Sequence, residues 1–103
     1  MDKIEAISKL ARYKVLVSKH FDIENMILFG SYARGNQSED SDIDVAVVVN
    51  STELDYFTYA PLLWKLRREI DDRIEPILIE KSKDESGFLE EILRTGVVIG
   101  GEV

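Results

Sequence analysis

Asp42 and Asp44 stand two residues apart in the run Ser41-Asp42-Ile43-Asp44-Val45-Ala46-Val47-Val48-Val49. At that spacing an extended chain turns both side chains to one side, their backbones roughly 6 to 7 Å apart, with Ile43 and Val45 facing the other way. Two carboxylates so close repel by on the order of 3 kcal/mol at a surface-like dielectric, and divalent cations between them remove the penalty. Paired magnesium ions about 3.5 to 4 Å apart stabilise both the attacking and the leaving oxygens of an in-line phosphoryl displacement. A bare Asp-x-Asp on an open sheet face is more often a solvated pair, so the neighbouring residues decide between the two.

Upstream lies Gly30-Ser31-Tyr32-Ala33-Arg34-Gly35, separated from Ser41 by five polar loop residues. Gly30 lets backbone approach a phosphate closely, and the N–H groups opening a helical turn there offer donors and the positive end of a dipole. Ser31 adds a hydroxyl. Arg34 either contacts phosphate or braces the loop by pairing with Glu39 or Asp40, an exposed pair of small energetic value. A third carboxylate should come from a neighbouring strand at similar depth. Glu75 is the best candidate, with Asp71 and Asp72 as rivals near a helix end. A P-loop is excluded although Gly30 and Gly35 are correctly spaced, because Asn36 and Gln37 occupy the positions that need Lys and Ser or Thr.

The elements that must position these groups follow from the apolar pattern. From Asp2 to Phe21 the residues Ile4, Ile7, Leu10, Ala11, Val17 and Phe21 recur at helical intervals and predict an amphipathic helix, with His20 a surface residue near its end. Met26-Ile27-Leu28-Phe29, stopped by Gly30, predicts a short buried strand. Ser31 is placed to cap a helical turn over Tyr32-Ala33-Arg34 that Gly35 closes. Asn36 to Asp40 reads as loop and Ser41 to Val49 as a second strand. Leu62, Leu63, Leu66 and Ile70 predict a helix ending near Asp72. Pro61 fits that helix in its first turn or as the kink of a longer one capped by Thr52. Trp64 and Phe57 read as core or partner-facing residues rather than base-stacking ones.

Arg73 to Ile79 predicts a third strand, placed at an edge or bulge by Pro76, with Glu75 on the face opposite Ile74 and Leu78. Ser86 is placed to cap a last helix carrying Phe88, Leu89, Ile92 and Leu93 and ending at Gly96, followed by a short strand over Val97-Val98-Ile99. The order α-β-α-β-α-β-α implies one sheet with helices packed on it. Without repeats or linkers, residues 1–103 read as a single domain.

Composition narrows the ligands. The 103 residues are 45% hydrophobic and 32% charged, with net charge −7. That charge opposes binding of long DNA or RNA, whereas carboxylates can hold the magnesium ions of a nucleoside triphosphate. The lack of cysteine and the single His20 exclude disulfides and zinc clusters. No apolar run approaches ~20 residues and the start lacks a signal-peptide core, so a cytoplasmic protein away from membranes is expected. A domain this small leaves apolar surface for a partner to cover, which makes a homo- or hetero-oligomer an expectation.

Gly30 to Gly35 together with Ser41-Asp42-Ile43-Asp44 resembles the signature of the DNA-polymerase-beta-like nucleotidyltransferases, and the chain is similar to their minimal members (MNT). The resemblance implies an α+β nucleotidyltransferase fold with a mixed sheet. It implies Ser31 on the triphosphate, beside the candidate nucleotide contacts Gly30 and Arg34, and Asp42, Asp44 and a third carboxylate on two magnesium ions, with manganese as the alternative ion. Many relatives have Asp as the third acid, where this chain offers Glu75. The resemblance further implies transfer of AMP from ATP to a tyrosine of a HEPN-domain RNase toxin, the chain serving as its antitoxin. Two other functions fit the residues: a nucleotidyltransferase for a small molecule such as an aminoglycoside, and a non-catalytic module that blocks a toxin by covering it.

Overall fold

The computed structural model describes residues 1–20, 22–50, 56–83 and 86–100. Asp2 opens α1 (Lys3–Ser18) as its cap, accepting from the Glu5 N–H at 2.7 Å. The buried face is Ala6, Leu10, Tyr13 and Val17. This corrects the expected stripe: Ile4 is 79% exposed and Ala11 is exposed, while Phe21 lies outside the described residues. The buried face instead runs through Tyr13, which is fully buried, its hydroxyl donating to the Leu63 carbonyl at 2.7 Å.

Four strands follow: β1 (Asn25–Phe29), β2 (Ile43–Val49), β3 (Ile74–Glu80) and β4 (Val97–Val98), in spatial order β3-β2-β1-β4. β1 runs antiparallel to β2 and β4, and β2 runs parallel to β3, so the sheet is mixed as expected. The parallel pair requires a crossover, and α3 (Tyr56–Leu66) with a 3₁₀ turn over Arg67–Glu69 lies within it. Pro61 sits inside α3, and Thr52 lies outside the described residues. Pro76 is on the edge strand, where a missing ladder donor is tolerated. Ser86 accepts from the Phe88 N–H at 3.2 Å, but the expected cap is corrected: the cap position of α4 (Phe88–Thr95) falls on left-handed Gly87 and no side chain caps the helix.

The sheet carries a core on each face. Met26, Leu28, Val45, Val47, Ile74 and Leu78 pack with α1 and α3, and Ile27, Ala46 and Val48 pack with Leu89 and Ile92 of α4. β2 is buried from Val45 onward on both faces, which explains its run of β-branched residues. Gly96 ends α4 where a Cβ would meet the Leu28 carbonyl at 2.6 Å, so the helix closes directly onto β1.

The turn leading into β3 is fixed by Asp71. Its carboxylate accepts from Lys9 Nζ at 2.6 Å, from Arg73 Nη2 at 2.9 Å and Nε at 3.1 Å, and from the Arg73 backbone N–H at 2.8 Å. The Arg73 carbonyl in turn accepts from Ile43 N–H at 2.8 Å. One side chain therefore ties α1 to the start of β3, and β3 to the start of β2.

The Arg73 hydrogen bonds, followed by Lys9, outweigh burial and hold the Asp71 carboxyl well below the usual carboxylate range. Asp71→Asn is expected to lower unfolding free energy by about 1–2 kcal/mol in urea titrations at neutral pH. Because the folded-state value is depressed, this contribution is complete above the unfolded value near ~4 and is lost as pH falls through the folded value. The stability gap between wild type and variant should be flat from neutrality down to about pH 5 and then narrow. A gap that widens in acid would contradict the clamp.

Candidate active site

The turn after β1 begins with Gly30 at φ 73°, in the left-handed region that favours glycine. A short helix, α2, spans Gly30–Arg34 and ends at Gly35, also left-handed at φ 78°. The cap position falls on Phe29 and no side chain caps the helix, so Ser31 is the helix's second residue and not its cap. The left-handed glycine starts the helix two residues earlier than expected. Tyr32, buried in the core, roots α2 beneath the sheet's end.

Gly30 has a second role that its phosphate-binding interpretation overlooked. A Cβ added there would lie 2.3 Å from Asp44 Oδ2. The missing side chain is the space that the Asp44 carboxylate occupies. The β1/β2 register, Phe29 opposite Asp44, produces this contact. A glycine immediately after a strand was visible in the sequence, but the register that brings Asp44 against it was not.

β2 begins at Ile43, so Asp42 lies just before the strand rather than on it. The common side expected of two strand residues therefore does not apply to Asp42, although the charges of both Asp42 and Asp44 raise the Glu75 carboxyl. Glu75 arrives through the parallel register, directly opposite Asp44. It shares a sheet face with Ile77 and Ile79, and Asp44 with Ala46 and Val48, the face on which α4 packs. Asp71 is committed to Lys9 and Arg73 instead, and Asp72 is exposed.

Burial raises the Glu75 carboxyl above its ordinary value, and the Asp42 and Asp44 charges push it further. Asp44 is raised by burial and by Asp42, and lowered in part by its hydrogen bond from Glu75 and by the positive charge of Arg34. The contact that lowers Asp44 raises Glu75. Arg34 is exposed, and its charge is felt at the carboxylate cluster.

These three acids could hold a hard divalent cation, since oxygen donors with excess negative charge are what magnesium takes. Among the described residues no three acidic or imidazole groups already close round a single point. Magnesium requires no such cage: it keeps several waters and completes its shell with substrate phosphate oxygens. The raised carboxyls fit this use, because their mutual repulsion is relieved only by a proton or a cation.

Two outcomes follow from this arrangement. At pH 8 and without metal, Glu75→Gln should stabilise the fold by about 1 kcal/mol after allowance for solvent screening, while abolishing the rise in melting temperature on adding manganese. Unchanged stability together with an undiminished manganese effect would remove Glu75 from the site. Gly30→Ala combines a left-handed alanine, costing on the order of 1 kcal/mol, with displacement of Asp44. It should lose manganese-induced stabilisation while keeping a cooperative urea transition.

Comparison with known proteins identifies the family of the chain and its fold. A protein-family model described as "Polymerase beta, Nucleotidyltransferase" matches residues 12–102. The chain is 30% identical to the "Protein adenylyltransferase MntA" of Thermococcus cleftensis, over 96% of this chain and 95% of that one. It is 31% identical to a "Putative protein adenylyltransferase" of Methanocaldococcus jannaschii, over 96% of this chain and all of the other. A solved structure of a "putative nucleotidyltransferase" from Sulfolobus solfataricus superposes with a TM-score of 0.67 at 21% identity, covering 93% of this chain and 80% of that one, and so shares the fold. Among the described residues no helix is long and apolar enough to cross a membrane. With the glycine turn, the facing acids and a family match across nearly its whole length, the chain belongs to the polymerase-beta nucleotidyltransferase family.

Proposed function

We propose that this chain transfers AMP from ATP to a hydroxyl of a partner protein, using divalent metal held by Asp42, Asp44 and Glu75. The observation that carries the reading is the Asp44 carboxylate seated in the space of the missing Gly30 Cβ, with Glu75 opposite it in the β2/β3 register and the Asp42 charge acting on both. Relatives named protein adenylyltransferases, matching almost end to end, support a protein as acceptor. The acceptor implied by the family resemblance is a tyrosine of a HEPN-domain toxin encoded nearby in the cytoplasm, which makes this chain the antitoxin. Residues 1–103 would act as one domain, with the partner supplying the acceptor.

In this reading the backbone N–H groups after Gly30, the Ser31 hydroxyl and Arg34 orient the triphosphate. Bound magnesium would neutralise the phosphates and favour the in-line geometry of displacement. The acceptor oxygen forms a bond to the α-phosphorus, the bond from that phosphorus to the bridging oxygen breaks, and pyrophosphate departs. Ionised Glu75, the form that a bound cation would favour over the protonated acid, accepts the hydroxyl proton.

Incubation of the chain with its neighbouring HEPN-domain protein, ATP and magnesium should add one AMP mass to that protein, read by mass spectrometry of the intact partner. The Asp42→Asn/Asp44→Asn variant should reduce the rate by at least about 10³-fold, since it removes transition-state charge stabilisation. An unmodified partner, or equal modification by the double variant, would refute the reading.

A further inference from the structure

Four large aromatic side chains, Tyr56, Phe57, Trp64 and Phe88, are exposed by 42, 80, 41 and 42%. They are not scattered. Tyr56 and Phe88 line a notch of about 320 Å³ beside the edge strand, together with Leu78 and Ile79 of β3. The Tyr56 and Phe57 rings meet edge to face at 5.8 Å. From Phe57, the exposed residues Pro61, Trp64 and Arg68 follow at steps of four, three and four, forming one stripe along α3.

The stripe is anchored next to the catalytic acids. Arg67 lies 4.6 Å above the Trp64 ring and donates to the carbonyls of Asp72 and Ile74, the latter at 3.1 Å and one residue before Glu75. A single exposed aromatic needs no explanation, but a group of Tyr, Phe and Trp with adjacent Arg has the composition of an interface centre.

Charge indicates what fits it. Residues 56–69 carry Lys65, Arg67 and Arg68 against one acid, Glu69, in a chain of net charge −7. The surface is locally basic, so its occupant is acidic around an apolar anchor. A second copy is a poor occupant: two-fold pairing would set Lys65 and Arg68 against their own copies, and head-to-tail pairing onto an acidic face does not close by itself. Nucleic acid is disfavoured by the net charge and by so few cations.

We propose that this face, the α3 stripe with the adjoining notch, docks the acceptor protein through a bulky apolar side chain flanked by carboxylates. The proposal rests on the protein-transferase reading and concerns how the acceptor is held. Its scale is consistent with reaching the site. A standard interface covers about 800 Å² per partner, a patch roughly 30 Å across. Seven residues of β3 extend about 23 Å, so a protein seated on this edge also reaches Glu75 at the strand's start.

The test measures calorimetric affinity for the HEPN-domain protein used above, with AMP transfer and binding of manganese with a non-hydrolysable ATP analogue measured alongside. Phe57→Ser alone, Phe57→Ser/Trp64→Ser and Lys65→Glu/Arg68→Glu form the variant set, each checked for wild-type urea unfolding. The double variants should weaken acceptor binding by about tenfold or more, raise the KM for acceptor, and leave analogue binding and kcat unchanged. The single substitution should weaken binding in the same direction and preserves the test if Trp64 proves necessary for folding.

Unchanged acceptor affinity in the folded variants would overturn the proposal, as would no complex with the wild-type chain. Variants whose only effect is to dissociate a homo-oligomer, or to lose binding to added RNA, would assign the face to those partners and overturn it too. If the variants weaken a complex in which the wild type transfers no AMP, docking stands and the transferase reading fails. If the variants modify the acceptor with unchanged KM, the transferase reading stands and docking fails.

Discussion

Everything in this fold answers to one electrostatic problem, which is how to keep three carboxylates together at one end of two parallel strands. Asp42, Asp44 and Glu75 repel one another, and burial adds to the cost of charging Asp44 and Glu75. A free surface would let such groups turn away into water. Here Asp44 is wedged into the space left by Gly30, and Glu75 is fixed opposite it by the β2/β3 register. The repulsion is therefore stored rather than relaxed, and a cation or a proton is its natural release. Natural sites tolerate such local strain because the surrounding structure over-determines them.

That over-determination has identifiable sources. Along β2, Val45 to Val49 are buried between the helices of both faces, and a register slip by one residue would exchange the two cores. At the other strand of the pair, the Asp71 contacts with Lys9 and Arg73 fix where β3 begins. Tyr13, reaching the Leu63 carbonyl, joins α1 to α3 on the same side. Asp44 and Glu75 thus stand on a fixed pair of strands, and the groups that hold the strands are separate from the candidate site acids.

The sequence made the site more legible than the helices that support it. Asp42 and Asp44 two apart, a glycine and a serine after a short apolar run, and Glu75 within a third strand are local features, and local features survive the lack of tertiary information. The order of elements was also readable, because the apolar runs match strand length and the stripes match helical period. What was not readable depended on distant contacts. The buried face of α1 runs through Tyr13 and not Ile4, since a tyrosine with a hydrogen-bond partner in α3 counts as core. Asp71 resembled a third metal acid until the structure paired it with Lys9, 62 residues away. Ser31 resembled a cap until Gly30 took the helix's first position.

The two surfaces of opposite charge complete the physical picture. A strongly acidic chain repels anions, so on the proposed function a triphosphate would approach where cation or backbone donors offset the carboxylates, at the end of the sheet beside α2. The basic, aromatic side of α3 lies round the edge of β3 from that end, and the two meet where Arg67 reaches the Ile74 carbonyl. On the proposed function, attraction of an anionic small molecule through metal and attraction of an acidic protein through arginine and lysine would be kept apart on one small molecule. Such separation would let the nucleotide and the protein bind together without competing for the same charges, as transfer from one to the other requires.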